Sequence, residues 1–134
     1  MKKASIWFCM LLFAFIALNT SCSTAEEEEA FSILGNWNIT MTYSGTWIYH
    51  GTITFAGSDT SGAVTCTVTL EGSSSSNLGN GTYTVSGSTV NWTVYWPSAD
   101  VTDTCTGTIT TDNTMNGTLI EEPGSTSGTW NCTR

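Results

Sequence analysis

The feature that most constrains this sequence is an alternation of apolar and polar residues through its last hundred positions. Residues 64–70 read Val-Thr-Cys-Thr-Val-Thr-Leu, and residues 90–96 read Val-Asn-Trp-Thr-Val-Tyr-Trp. A period of two places successive side chains on opposite faces of a β-strand, whereas an amphipathic helix repeats every three or four residues. No helical period follows Cys22. The sequence therefore predicts an all-β fold.

Eight alternating segments, separated by turn signals, predict eight strands. The segments span residues 37–43, 47–55, 64–70, 83–85, 90–96, 105–109, 115–119 and 128–132. Ser-Gly at 44–45 and 86–87 and Asp-Asn at 112–113 are typical of tight turns, and residues 56–62 and 71–81 are predicted to be longer loops. Short connections favour antiparallel pairing of successive strands.

The charge composition favours closing these strands into a barrel. The three Lys and Arg residues are Lys2, Lys3 and Arg134, so the predicted strands have no lysine to protect an exposed sheet edge. Closure removes the edges altogether. We therefore expect residues 35–134 to form an eight-stranded antiparallel up-and-down barrel. A polar, threonine-rich outer face argues against a barrel embedded in a membrane.

The first 21 residues have the pattern of an export signal. Lys2 and Lys3 precede an apolar run at residues 6–18, which is shorter than the ~20 residues that span a bilayer. The run ends in Leu-Asn-Thr-Ser-Cys, which resembles the lipobox of bacterial lipoproteins and implies lipidation of Cys22. The alternative is ordinary cleavage after the small residues at 23–25.

Both interpretations place the mature chain in the bacterial cell envelope or outside it. Lipidation predicts a protein anchored to the outer membrane, and ordinary cleavage predicts a secreted or periplasmic one. The segment 22–34 includes four consecutive glutamates at 26–29, which repel one another and extend the chain. We expect it to be a tether between Cys22 and the barrel, so that the lipid anchor is the only contact with the membrane.

The composition also excludes whole classes of function. A net charge of −8 with three Lys and Arg residues excludes nucleic acid as a partner. His50 is the only histidine and is predicted to face outward, which disfavours a catalytic triad. The carboxylates of the barrel segment are assigned to loops or their edges, with no inward pair on neighbouring strands: Asp59, Glu71, Asp100, Asp103, Asp112, Glu121 and Glu122. We expect neither an enzyme nor a cofactor.

Three cysteines occupy apolar positions of separate predicted strands: Cys66, Cys105 and Cys132. Export favours a disulfide between two of them, with all three pairings open and the third cysteine left as a buried thiol. A soft metal such as copper would need these single, widely spaced cysteines to converge with methionine or histidine. We therefore predict no metal site.

The two ends of the barrel segment resemble the calycin pattern of lipocalins. Gly35-Asn36-Trp37 enters the first strand, and the last strand ends with Trp130 and Arg134. The resemblance is to small bacterial lipocalin-like lipoproteins, and it implies a barrel closed at one end by an arginine packed over a tryptophan. Gly35, Trp37, Trp130 and Arg134 would then be structural.

A weaker resemblance is to avidin. Residues 88–92, 104–107 and 130–134 are similar to the fifth, sixth and eighth strands of that family. Biotin sites there also use a tryptophan of the seventh strand, where this chain has Met115 and Leu119. Biotin binding is therefore not predicted.

The inward aromatic residues carry the functional hypothesis. Five of the six tryptophans lie within residues 37–130, and small barrels either fill with such side chains or hold one small ligand. Inward glycines could make room for a ligand or for the rings. We expect a small apolar or aromatic ligand, contacted by Tyr43, Trp47, Tyr49, Trp92 and Trp96.

The alternative function belongs to a different class. A barrel filled by its own side chains would act through its loops, above all residues 71–81, as a surface interaction module or an envelope protease inhibitor. The sequence does not predict an oligomeric state for either function.

Overall fold

Eight antiparallel strands close into one barrel in this computed structural model, which describes residues 31–134. The predicted signal peptide, Cys22 and the glutamate run at 26–29 lie outside the described residues. The strands are β1 (Gly35–Tyr43), β2 (Trp47–Gly57), β3 (Ser61–Leu70), β4 (Ser76–Ser86), β5 (Thr89–Trp96), β6 (Val101–Thr111), β7 (Thr114–Glu122) and β8 (Thr126–Thr133).

Each strand pairs with its neighbours in sequence, and β1 pairs with β8 to close the barrel. The predicted all-β, eight-stranded up-and-down barrel is therefore confirmed. Across the ladder between β1 and β8, Ile39 lies opposite Cys132 and Met41 opposite Trp130. This closure leaves no free sheet edge in the described part of the chain.

Two predicted loops are shorter than expected. Strand β4 begins at Ser76, so the loop predicted at 71–81 shrinks to residues 71–75. The one predicted at 56–62 shrinks to residues 58–60. The Ser-, Asn- and Gly-rich start of β4 has weak strand propensity, but it pairs in register with β3, for example Gly79 with Cys66. The loop on which the alternative function depends is correspondingly small.

The barrel has two unlike ends. The end that we call the open end carries the turns after β1, β3, β5 and β7. The end that we call the closed end carries the remaining turns together with residues 31–34 and Arg134.

Aromatic rings fill the barrel between these ends. Trp92 and Trp130 are buried and meet edge to face, with ring centroids 5.4 Å apart. A Cβ on Gly107 would lie 2.5 Å from Cζ2 of Trp130, so this inward glycine makes room for a ring rather than for a ligand. The threonines of the strands face mostly outward, as does His50, whose Nδ1 lies 3.1 Å from the Thr40 hydroxyl.

Arg134 covers the closed end. Its guanidinium carbon lies 4.2 Å from the centroid of the Trp37 ring, and its N–H groups donate to the carbonyl oxygens of Ser32 and Leu34. This is the arrangement that the lipocalin resemblance implies for Trp37 and Arg134. Gly35 begins β1 with a left-handed φ of 104°. Trp130, by contrast, lies in the barrel interior and donates through Nε1 to the Thr118 carbonyl.

Residues 31–34 belong to the closed end of the barrel, although the sequence assigned them to the tether. Ile33 is fully buried, and its carbonyl accepts a hydrogen bond from Trp37 Nε1 at 2.8 Å. Asp59 holds the same segment by accepting from the Ser32 hydroxyl and the Ile33 amide. The compact unit therefore begins at Phe31.

The three cysteines of the barrel are buried free thiols. Cys66, Cys105 and Cys132 lie on β3, β6 and β8, and none of the three expected pairings is bonded in this structure. Burial raises the pKa of the Cys66 thiol to about 12. Within residues 31–134 no helix is long and apolar enough to span a membrane.

Candidate ligand-binding site at the open end

A cavity of about 480 Å³ occupies the open end of the barrel. Four of the five predicted ligand contacts line it: Tyr43, Trp47, Tyr49 and Trp96. The other lining residues are Ser44, Val68, Leu70, Asn77, Ser98, Ala99, Val101, Glu121 and Thr126. The structure thus brings together residues from all eight strands and from the turns after β1 and β5.

A tight turn positions Tyr43 and Trp47. The two residues are register partners at the end of β1 and the start of β2. Ser44 and Gly45 between them take left-handed φ values of 49° and 68°. The turn holds Trp47 at the rim, where 57% of it is exposed, whereas Tyr43 is buried below it. The rings of Tyr43 and Tyr49 meet at 79° with centroids 5.5 Å apart, so they form two walls at a corner.

Trp96 forms a further wall of the cavity, and a glycine leaves space for it. A Cβ on Gly79 would lie 2.6 Å from Cε3 of Trp96. Trp96 is buried, and its Nε1 donates to Asp103 Oδ2 at 2.7 Å. The ring orientation therefore depends on one small residue of β4 and one carboxylate of β6.

Asp103 is the buried polar residue behind this wall, with none of its surface exposed. Its Oδ2 accepts the Trp96 bond and a second bond from the Tyr43 hydroxyl at 2.5 Å. Its Oδ1 is buried without a hydrogen-bond partner. Burial raises the pKa of Asp103, and the two hydrogen bonds to Oδ2 oppose that rise. Burial and the negative charge of Asp103 raise the pKa of Tyr43.

Glu121 brings a second carboxylate to the same place. It lines the cavity and is the register partner of Asp103 across β6 and β7. Burial, and then the charge of Asp103, raise the pKa of Glu121. The expectation that no two carboxylates face inward on neighbouring strands was therefore wrong. Asp103 lies two residues before the buried Cys105, and Glu121 lies two residues after the buried Leu119. The alternation along each strand therefore already indicated that both carboxylates face inward.

Trp92 lies apart from the other predicted contacts. It does not line the cavity, although it is on the same strand and the same face as Trp96. Trp92 lies four residues before Trp96 on β5 and is therefore nearer the closed end, where it packs against Trp130. The alternation of a strand predicts which side chains point into the barrel. It does not predict which of them border a cavity and which are packed against other side chains.

The arrangement suits binding by burial. Aromatic walls supply the apolar area, and a few polar groups supply direction. Within the described residues, no group of three or more His, Cys, Asp or Glu side chains is placed to hold a metal ion.

Comparisons with known proteins bear on the fold. No family model matches the sequence, and no curated protein matches it. Among solved structures, a redesigned β-barrel, mFAP1, bound to DFHBI has a TM-score of 0.68 at 18% identity, covering 75% of this chain and 94% of that chain. EF1p2_mFAP2b bound to DFHBI has a TM-score of 0.68 at 17% identity, covering 75% and 92%.

A third similar structure is a fluorescence-activating β-barrel designed de novo. It has a TM-score of 0.64 at 13% identity and covers 75% of this chain and 92% of that chain. Identities this low show a shared architecture and no more. The chain is therefore similar in fold to designed β-barrels.

Proposed function

We propose that this protein is a lipid-anchored, extracytoplasmic β-barrel that binds a small apolar or aromatic ligand at its open end and has no catalytic role. The observation that carries the proposal is the cavity of about 480 Å³ walled by Tyr43, Trp47, Tyr49 and Trp96. Its volume falls within the roughly 300–1,000 Å³ of small-molecule sites.

A cavity of this size differs from the packing seen deeper in the barrel. Protein interiors are close-packed, and voids larger than a water molecule are few. The closed half follows that rule, because Trp37, Trp92 and Trp130 fill it. The open half keeps space beside its aromatic side chains and exposes more than half of Trp47. An exposed aromatic at the mouth of a cavity is a natural contact for a ligand.

The similar barrels support the same function. Two of them, mFAP1 and EF1p2_mFAP2b, are bound to DFHBI, so a barrel of this architecture can hold a small molecule.

A binding role also fits the groups at the open end. Among the described residues, Glu121 and Asp103 have neither a Lys or Arg nor a histidine beside them, because Arg134 is at the closed end and His50 faces outward.

Binding is tested with N-phenyl-1-naphthylamine, a neutral dye whose emission rises in apolar surroundings. We expect saturable 1:1 enhancement, and Trp47→Ala should weaken the affinity by about tenfold through lost aromatic contact area. Tyr95→Ala is the matched control, since Tyr95 is an exposed aromatic on the outer face. No saturable uptake, or equal losses in both variants, would refute a site in the cavity.

The anchor is proposed from the lipobox-like sequence that ends at Cys22. The test is Triton X-114 phase partition of the full chain expressed in a bacterium, compared with Cys22→Ser. The wild type should enter the detergent phase and the variant the aqueous phase. Recovery of both in the aqueous phase would support ordinary cleavage instead.

A further inference from the structure

The single Lys or Arg of residues 31–134 and the carboxylates of the cavity lie at opposite ends of the barrel. In residues 31–134 the single Lys or Arg is Arg134, which is bound at the closed end to Trp37 and to carbonyl oxygens. The open end has Glu121 on the cavity wall and Asp103 behind it. Any ligand in this cavity therefore meets negative charge that no neighbouring cation of the described chain neutralises.

The hydrogen bonding of Asp103 is incomplete. Both of its donors, Tyr43 and Trp96, reach Oδ2, and both of these residues also line the cavity. Oδ1 is buried and accepts no bond from residues 31–134. Buried carboxylate oxygens are nearly always paired, because leaving one unpaired costs the solvation that it loses. The carboxyl group of Asp103 therefore keeps one unpaired oxygen close behind the cavity wall.

The walls of the cavity favour the same kind of ligand. The faces of tryptophan and tyrosine rings are electron-rich and attract cations, most strongly where water is excluded. Tyr43 and Tyr49 meet nearly at right angles, and Trp96 lines the same cavity with its N–H directed to Asp103. The cavity thus combines ring faces with a carboxylate, which is the chemistry that recognises an ammonium group.

We propose that the natural ligand is an organic amine, bound as its ammonium ion, with a compact aromatic or apolar body. The ammonium lies between Glu121 and the ring faces of the cavity, with the carboxyl group of Asp103 behind the wall, while the body fills the space below Trp47. This inference rests on the proposed function, since it names the ligand class of the same cavity.

The titratable groups around Asp103 are all acids. They are Tyr43 on β1, Cys66 on β3, Cys105 on β6 and Glu121 on β7. The ionised forms of both carboxyl groups become more populated as the pH rises, and burial moves this change to higher pH by raising the pKa of Asp103 and of Glu121. An ammonium ligand binds the ionised forms better, so its affinity should increase from pH 5 to pH 8. A neutral ligand should show no such increase.

The test uses three probes with one ring system: 2-(2-naphthyl)ethylamine, 2-(2-naphthyl)ethanol and 2-naphthylacetate, titrated calorimetrically into the full chain. We expect the amine to bind about tenfold more tightly than the alcohol at pH 8, and the anion to bind most weakly. An alcohol that binds as tightly as the amine would overturn the cation inference and keep the proposed function. If none of the three binds, both are overturned.

Two isosteric variants separate the site from the overall charge. Glu121→Gln should weaken the amine about tenfold and leave the alcohol unchanged. Glu122→Gln removes the same charge from the adjacent exposed position and should change neither affinity. Equal losses of amine affinity in the two variants would mean a long-range charge effect and would contradict the proposed contact. Thermal melting of each variant confirms that it is folded.

Discussion

Replacing Tyr43 by Phe tests the buried cluster beneath the ligand cavity without adding or removing a formal charge. The tyrosine donates its hydroxyl to Asp103 Oδ2 at 2.5 Å, and only 8% of the residue is exposed. Little water can replace the lost bond. Hydrogen bonds to charged groups contribute about 1.5–3 kcal/mol. Because Trp96 still donates to the same oxygen, we expect a loss of about 2 kcal/mol at pH 8.

The cost should depend on pH with a definite sign. Burial raises the pKa of Asp103 above its unfolded value, so the folded state holds this proton more tightly than the unfolded chain does. The contribution of Asp103 to stability is therefore greatest at low pH and is lost as the pH rises through the folded pKa. Removing the Tyr43 bond raises that pKa further and steepens the loss. At pH 5, where more of the carboxyl is neutral, the cost should fall to about 1 kcal/mol.

Urea unfolding at pH 8 and pH 5, followed by tryptophan fluorescence, measures both costs. A loss of about 2 kcal/mol moves the midpoint by about 1 M for a domain of this size. Tyr95→Phe is the matched control, because the Tyr95 hydroxyl donates to Asp100 at 3.0 Å in an exposed position, and losing that bond should change stability far less than losing the buried one. Equal costs at the two pH values, or equal costs for the two variants, would refute the reasoning.

Three further predictions concern the rest of the barrel. Arg134→Gln removes the cation over Trp37 and should lower the free energy of unfolding by about 1 kcal/mol, which circular dichroism would show as a lower melting temperature. An unchanged melting temperature would contradict a stabilising contact between Arg134 and Trp37 at the closed end. Gly107→Ala should cost about 2 kcal/mol in a urea titration because its Cβ meets the backbone carbonyl of Asn116 and the ring of Trp130, and a neutral effect would contradict this close packing. Without reductant, iodoacetamide should spare Cys66, Cys105 and Cys132 in the folded protein and modify all three in guanidinium, whereas a pair that stays unmodified would reveal a disulfide.

Alternation along the chain predicted the strands, because a period of two fixes which face of each strand is buried, and the lack of lysine at sheet edges predicted their closure into a barrel. It failed where other forces decide the outcome. The start of β4, residues 76–81, has weak strand propensity, and its pairing with β3 in the closed barrel overrides that preference. Residues 31–34 carry no periodic signal, yet Ile33 is held by Trp37 and Asp59.

The candidate site was predicted in part for a related reason. Four lining residues were predicted because inward-facing aromatic residues near the open ends of their strands meet at the same rim: Tyr43, Trp47, Tyr49 and Trp96. Asp103 was missed because a charge near a predicted turn was assigned to solvent, although its parity is inward. Distinguishing the filled half of the barrel from the hollow half depends on ring packing and on glycines that face the rings, which only three-dimensional contacts define.

Native mass spectrometry of the protein, isolated under mild conditions from the cells that produce it, tests the central claim most directly. We expect a discrete added mass that is lost on denaturation and that an apolar amine displaces. Trp47→Ala should reduce the bound fraction, and Tyr95→Ala should not. A bare mass for the wild type, together with failure to take up neutral, cationic or anionic naphthyl probes, would contradict the claim that the open end binds a small ligand.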